Sequence, residues 1–311
     1  MRIGILTGGG DCPGLNAVIR AVAKSLMRQC QAEVIGIRDG FAGLMAPEPL
    51  TQTLDWSQVS GILMQGGTIL GTSNRANPLG RPALLERTLQ NARQLGLEAL
   101  VVIGGDGTME IAHELAVQGL PVVGVPKTID NDIAGCERSF GFDTAVATVT
   151  DALERIQTTG QSHSRVMVVE TMGRYAGWIA LEAGLAGAAD VILLPEIDYD
   201  IEWVAQVCRE RELHQRFTVV CVGEGAKPLG GQMTVERRIE GSPEPVRLGG
   251  VAHVLAAELQ TRLQSEVRAT VLGHVQRGGS PTPFDRVLAT QFGNQAAQLV
   301  MAGQFNRMVT L

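Results

Sequence analysis

Eight short runs along this 311-residue chain are apolar at consecutive positions rather than at alternate ones. They are Ile3 to Thr7, Val34 to Ile37, Leu100 to Ile103, Val122 to Val125, Val166 to Glu170, Val191 to Leu194, Val219 to Val222 and Ala269 to Leu272. A strand apolar on both faces must be covered on both faces, which predicts parallel sheets buried between helices. The segments between the runs carry helical period. After Pro13, the residues Leu15, Val18, Ile19, Val22 and Leu26 share one stripe, with Asn16, Arg20 and Lys24 expected to face away. Pro82 to Gln94, Thr108 to Val117, Thr144 to Ile156, Tyr175 to Leu185, Ile201 to Leu213, Val251 to Leu263 and Asp285 to Met301 read similarly. Strand and helix in alternation predict an α/β fold, doubly wound, with helices on both faces of mainly parallel sheets.

A length of 311 residues with 45% hydrophobic content suits two domains. The mean hydropathy of +0.11 does not signal a membrane protein, because Gly, Pro or charge breaks every apolar run well short of the roughly 20 residues a span needs. The amino terminus turns Gly-rich after seven residues, too soon for a secretion signal, so a cytoplasmic protein is expected. Five cysteines, odd in number and without CxxC spacing, argue against a disulfide framework and against a zinc site. A net charge of −6 argues against a nucleic-acid partner, so anions must be met by local arginine clusters. No internal repeat or low-complexity linker is present, and residues 228–245 read as a surface excursion away from the site.

Ligands of a parallel α/β sheet bind at the carboxyl ends of its strands. Three loops placed there are unusual. Gly8-Gly9-Gly10-Asp11-Cys12-Pro13-Gly14 offers backbone N–H groups and a helix start to a phosphate, or is a tight turn needing positive φ. It matches neither GxxxxGK[ST] nor GxGxxG. Gly104-Gly105-Asp106-Gly107-Thr108 reads as a phosphate nest beside a Mg²⁺-binding carboxylate, or Asp106 is a helix cap. Pro126 to Asp132 holds Asp130 and Asp132, one able to accept a proton and the other to help hold a metal, or it is an Asx-turn. Three such loops at one sheet edge favour the chemical reading. A basic set follows: His163, Arg165, Arg174, Arg268 and His274 to Arg277. Each is a surface charge or a phosphate contact, and their glycine neighbours favour the second.

Taken in order, GGGDCPGLN, GGTILGT, GGDGT, PKTIDND, MGRYAG, GEG and GHVQRGGSPTPFDR make the chain resemble the phosphofructokinase family from Ile3 to about Gly303. GGDGT alone also occurs in lipid and NAD kinases, whereas TIDND with MGR and HVQRGG is specific. The resemblance implies two doubly wound domains with the active site in the cleft between them. Residues 1–141 with 275–303 would bind the nucleotide, 142–274 the sugar phosphate, and 304–311 would be the remnant of a C-terminal extension. It implies transfer of a phosphoryl group from ATP, with Mg²⁺, to the 1-hydroxyl of fructose 6-phosphate, a committed step of glycolysis. By the same resemblance Asp130 is the proton acceptor, Thr128 holds the transferring phosphoryl, Asp106 binds Mg²⁺ and Asp132 assists it. Gly10, Arg75, Gly105, Asp106, Gly107 and Thr108 match nucleotide contacts. Ile129, Met172, Gly173, Arg174, Glu224, His274, Val275, Gln276 and Arg277 match sugar-phosphate contacts, with Arg174 also catalytic. Arg165 and Arg268 match residues supplied by a neighbouring subunit, which implies a homo-oligomer, dimer or tetramer.

Two positions bear on the phosphoryl donor. Family members using pyrophosphate typically carry Asp and Lys where this chain has Gly107 and Lys127, and the best-known bacterial ATP enzymes carry Gly at both. The chain is mixed. An Asp at 107 would crowd the α-phosphate of ATP with like charge, so Gly107 favours ATP, with pyrophosphate as the alternative donor. Arg20 matches the family's effector pocket, but Lys24 and Gln157 stand where arginines are usual, so no effector follows. A NAD or lipid kinase leaves TIDND and HVQRGG unexplained, a non-catalytic sugar-phosphate sensor leaves Asp130 without a task, and a dinucleotide oxidoreductase would need GxGxxG.

Overall fold

Helices and strands alternate as the apolar runs predict. The computed structural model describes residues 1–214, 216–238 and 246–311. The first elements are β1 (Arg2–Thr7), α1 (Leu15–Cys30), β2 (Glu33–Ile37), α2 (Phe41–Met45), β3 (Thr51–Thr53), α3 (Pro82–Gln94), β4 (Ala99–Gly104), α4 (Asp106–Val117) and β5 (Val122–Pro126). There follow α5 (Phe142–His163), β6 (Val166–Thr171), α6 (Trp178–Ala186), β7 (Val191–Leu193), α7 (Ile201–Glu212), β8 (Thr218–Gly223), β9 (Val235–Arg238), β10 (Val246–Leu248), α8 (Val251–Gln260) and β11 (Val267–Val271). Then come α9 (Pro283–Met301) and β12 (Arg307–Met308). These elements divide into two compact units, Met1–Asp143 with Arg277–Leu311, and Thr144–Gln276.

In the first unit the sheet order is β12-β5-β4-β1-β2-β3, and only β3 runs antiparallel to its neighbour. Leu6, Leu100, Val102 and Val122 meet Phe41 and Leu44 of α2, Ala92 of α3 and Ile111 and Leu115 of α4 in one apolar cluster. The alternate residues Ile5, Val101, Ile103 and Val123 are equally buried, toward the opposite face of the pleat. There α9 packs on α1 and β5. Each fully buried Leu, Ile or Val contributes about 1.5–3 kcal/mol, which is why both faces of such a sheet are covered.

One expectation changes here. Asn16 does not face away from the core: it is 1% exposed. Its amide donates to the carbonyls of Gln65 and Gly66 and accepts from the Ile69 N–H, so a buried polar group is satisfied by anchoring a loop. Residues 304–311 extend the first sheet, with the Asn306 N–H donating to Val122 O at 2.7 Å and Arg307 and Met308 pairing with Val123 and Gly124.

The second unit carries a four-stranded parallel sheet in the order β11-β6-β8-β7. Val166, Val168, Val220 and Val222 pack with Val204 and Cys208 of α7 and Leu255 and Leu259 of α8, while α6 lies on β7 and β8. The excursion expected at 228–245 includes β9, which pairs antiparallel with β10; its part at 239–245 lies outside the described residues.

The order of the first sheet sets the position of a site. The chain goes from β1 to β2 on one side, then returns across β1 to place β4 on the other. Such a reversal leaves a crevice outside the carboxyl ends of β1 and β4, where α/β sheets bind ligands.

Candidate active site

Three loops meet at that crevice. Thr7 pairs with Ile103 and Gly104 with Pro126, so the carboxyl ends of β1, β4 and β5 stand side by side. The Gly8 to Gly14 loop follows β1, and its Gly8 N–H donates to Ile103 O at 2.8 Å. Thr108, 6% exposed in the first turn of α4, packs into the space left by two glycines. A Cβ on Gly8 would lie 2.7 Å from its Oγ1, and one on Gly104 would lie 2.4 Å from its Cβ. No larger residue fits at either place, which brings the first and second loops into contact. Gly107 differs: a Cβ there would meet nothing within 4 Å, so its side faces open space.

The GGTILGT stretch braces the first loop from outside. Thr72 Oγ1 donates to Gly9 O at 2.7 Å, and the Gly9 N–H donates to Ser73 O at 3.2 Å. Arg75 is exposed two residues further on, its N–H on Ser73 Oγ. Arg277 closes over the same loop: its Nη1 donates to Asp11 O at 3.2 Å and lies 2.9 Å from where a Gly10 Cβ would be.

The third loop is held by its own side chains. The Asp130 N–H donates to Thr128 Oγ1 at 3.1 Å, and Thr128 Oγ1 donates to Asp132 Oδ1 at 3.2 Å. Asn131 sits at a φ of 53°, the left-handed region Asn tolerates, and its Oδ1 accepts from the Ser139 N–H at 2.8 Å. The turn is therefore closed by the Thr128 hydroxyl rather than by an Asp or Asn carboxyl or amide, and it is compatible with paired carboxylates because it fixes where Asp130 and Asp132 stand. Ile129, 1% exposed, anchors the loop beneath them.

Charge is concentrated here. Burial first, then the like charges of Asp132 and Glu110, hold the Asp106 carboxyl above its ordinary range. Asp106 and Asp132 therefore share one field, although among the described residues no cluster of three or more His, Cys, Asp or Glu forms a preformed metal cage. Lys127 is 4% exposed and donates to the Gly10 carbonyl, so its ammonium supports the first loop. Burial pulls its pKa down, and Arg277 pulls the same way against Cys12, Asp11 and Asp130. Burial also pushes the Cys12 thiol up to about 12, leaving it a neutral neighbour.

In the second unit, the remaining predicted residues separate into two places. Met172, Gly173 and Arg174 follow β6 and Glu224 follows β8, joined by the Glu224 N–H on Thr171 O at 2.9 Å. Gln276, fully buried, accepts from the Met172 N–H at 3.2 Å. His274 and Val275 are exposed in the short 3₁₀ turn after β11, and the Arg174 guanidinium lies 5.6 Å from the Tyr175 ring centroid. Arg165 and Arg268 instead sit at the amino ends of β6 and β11, where both bond to Glu266. Of the effector-pocket positions, Lys24 lies 5.6 Å over the Trp56 ring and Gln157 bonds to Gly187 O.

Three contributors escaped the sequence reading. Thr68 and Thr72 were visible only as part of a motif; in the fold the Thr68 hydroxyl lies 3.1 Å from that of Thr7 at the end of β1, and the Thr72 hydroxyl holds Gly9. Glu266, immediately before β11, shows only its nearness to Arg268 in the sequence; its bond to Arg165, 101 residues away, appears once β6 and β11 are neighbours.

The sequence model for phosphofructokinase matches residues 2–300. ATP-dependent 6-phosphofructokinase 2 of Clostridium perfringens (strain 13 / Type A) is 47% identical over 323 residues, covering 100% of this chain and 88% of that protein. Pyrophosphate–fructose 6-phosphate 1-phosphotransferase of Streptomyces coelicolor (strain ATCC BAA-471 / A3(2) / M145) is 49% identical over 312 residues, covering 100% of this chain and 90% of that protein. The structure of phosphofructokinase from Saccharomyces cerevisiae matches with a TM-score of 0.82 at 31% identity, covering 97% of this chain and 42% of that one. With its loops, its sheet order and a match over nearly its whole length, the chain belongs to the phosphofructokinase family.

Proposed function

We propose that the chain phosphorylates fructose 6-phosphate on its 1-hydroxyl, using ATP and Mg²⁺, as a committed step of glycolysis. The observation that carries this reading is the meeting of three loops at the carboxyl ends of β1, β4 and β5, with Asp106 on the second and Asp130 and Asp132 on the third. Phosphoryl transfer leaves a protein two tasks, alignment and neutralisation of charge on the equatorial oxygens. The Gly10 N–H and Arg75, with Gly105 to Thr108 beside them, serve the nucleotide phosphates. Asp130 takes the proton of the sugar hydroxyl, and its loop is stiffened for that task by the Thr128, Asn131 and Ser139 bonds. Thr128 holds the phosphoryl in flight. Arg174 adds positive charge to the transition state.

Asp106 with Asp132 fits Mg²⁺, which prefers one or two carboxylates and completes its shell with phosphate oxygens and water. The mutual repulsion of these acids is what a cation relieves. When bound there, Mg²⁺ would offset charge on the donor's phosphates.

Met172, Gly173, Glu224, His274, Val275, Gln276 and Arg277 serve the sugar phosphate. Arg165 and Arg268 lie a strand length away from Met172 within the second unit, roughly 20 Å at 3.3 Å per residue. That separation supports a neighbouring subunit as the source of these two arginines, hence a homo-oligomer with shared sites. No described helix is long and apolar enough to cross a membrane, and a cytoplasmic enzyme is the proposed setting.

Pyrophosphate is the second reading for the donor, favoured by Lys127 and by the relative of 49% identity that carries that name. The open space at Gly107 and the commitment of Lys127 to the Gly10 carbonyl support ATP. Coupled assays on fructose 6-phosphate with ATP, ADP or pyrophosphate as sole donor, with and without Mg²⁺, decide it. Turnover with pyrophosphate alone would refute the ATP assignment.

A further inference from the structure

Both basic residues at the amino ends of β6 and β11 converge on one acid. Arg165 Nε donates to Glu266 Oε2, and Arg268 Nη2 donates to Glu266 Oε1, so each carboxylate oxygen takes one guanidinium. The backbones are fixed as well: the Val166 N–H donates to Glu266 O at 3.0 Å and the Thr218 N–H donates to Arg165 O at 3.1 Å. The carboxylate uses a single N–H edge of each arginine. Among the described residues, the two terminal nitrogens of Arg165 and the Nε and Nη1 of Arg268 have no protein partner. The trio keeps one net positive charge and reaches solvent, with the side chain of Arg268 57% exposed and that of Glu266 40% exposed.

We propose that Glu266 is a positioning residue that holds Arg165 and Arg268 as a two-armed clamp for a phosphomonoester dianion. Without a bridging acid, two guanidinium groups on adjacent strands repel and their long side chains sample many rotamers, so ordering them would fall on the ligand. Glu266 orders them in advance and leaves the planar N–H faces that suit phosphate oxygens. An ordinary exposed ion pair contributes only about 0–1 kcal/mol and would be silent to ligand binding. The inference rests on the reading of Arg165 and Arg268 as contacts for the sugar phosphate of the adjoining copy.

The test uses the assembled protein with Glu266→Ala and Glu266→Gln, and Arg165→Ala as a control. Inorganic phosphate binding is measured by calorimetry, and KM for fructose 6-phosphate, KM for ATP and kcat are measured separately. Glu266→Ala should raise the phosphate Kd and the sugar-phosphate KM roughly 10-fold, with kcat and the ATP KM within about twofold. Glu266→Gln should fall between, because an amide oxygen can still hold one guanidinium. Unchanged binding in both variants would overturn the proposal, and so would tighter binding, which would make Glu266 a competitor of the phosphate. Because phosphate binding needs no turnover, a protein inactive on fructose 6-phosphate would fail the functional reading while still testing the clamp. If Arg165→Ala alone left both readouts unchanged, the arginine assignment would fall, and the clamp with it.

Discussion

Gly107→Asp separates the two donors. A Cβ at 107 meets no atom within 4 Å, so the substitution adds bulk without a clash. The position lies in the first turn of α4, where an acidic side chain meets the positive end of the helix and gains about 0.3–1 kcal/mol. Replacing Gly inside a helix gains roughly 0.5 kcal/mol more in backbone entropy. Asp106 next door opposes these gains with like charge, so the melting temperature should stay nearly unchanged. The effect on ATP is large by comparison. Two unit charges 4 Å apart repel by about 4 kcal/mol at an effective dielectric constant near 20, or roughly a thousandfold in affinity. Gly107 is exposed, so salt trims this, and the expected rise in ATP KM is roughly 10- to 1000-fold. Pyrophosphate, which lacks an α-phosphate bearing a nucleoside, should lose little. The assay is a coupled rate on fructose 6-phosphate at varied ATP and varied pyrophosphate, beside a thermal melt. A folded variant with unchanged kcat/KM for ATP would refute the steric and electrostatic reasoning about the donor.

Asp130→Asn should lower kcat by roughly 10²- to 10⁴-fold with little change in fructose 6-phosphate affinity, measured by single-turnover rates and binding; normal turnover would remove Asp130 as the base. Asp106→Asn should abolish Mg²⁺-dependent activity without lowering the melting temperature at pH 7. The sign follows from the raised pKa: the folded protein holds that proton more tightly than the unfolded chain, so Asp106 weakens the fold once pH passes above its folded pKa. The Asn variant's advantage should therefore fade as pH falls through the carboxylate range, and a melt that shows a deficit at pH 7 would contradict it. Gly225→Ala would place a Cβ 1.9 Å from the carbonyl oxygen of Arg174, displacing that backbone. It should cost about 1–3 kcal/mol in stability and raise the KM for fructose 6-phosphate, both readable by denaturation and steady-state kinetics.

The strands that read well from the sequence are those buried on both faces. Leu100 to Ile103 and Val219 to Val222 fall inside β4 and β8 within a residue or two of their ends. β11 was displaced, because Arg268 inside Val267–Val271 breaks the apolar run at a sheet edge where a charge can reach solvent. β3, β12 and α2 are three, two and five residues long and too short to establish a period. α5 runs to His163, past the expected Ile156, since its last turns are polar and leave no stripe. Asn16 shows the limit for single polar residues: helical phase placed it outward, and three backbone bonds to the 65–69 loop keep it inside. For the site, the loops could be recognised from glycine and aspartate at strand ends. The burial of Lys127 and the bridge at Glu266 depend on which strands become neighbours, which no local pattern states.

The first unit is made of two separated stretches, with Thr144–Gln276 inserted between them. During synthesis, β1 to β5 leave the ribosome long before α9 and β12 exist, a delay on the order of ten seconds at about 5–20 residues per second. Throughout that interval the faces of α1 and β5 that α9 covers remain bare. Arg277, which closes over the glycine loop, also arrives in the late stretch. The order of translation thus makes the finished glycine loop one of the last features the nascent chain acquires, with an apolar helix face exposed to chaperones until then.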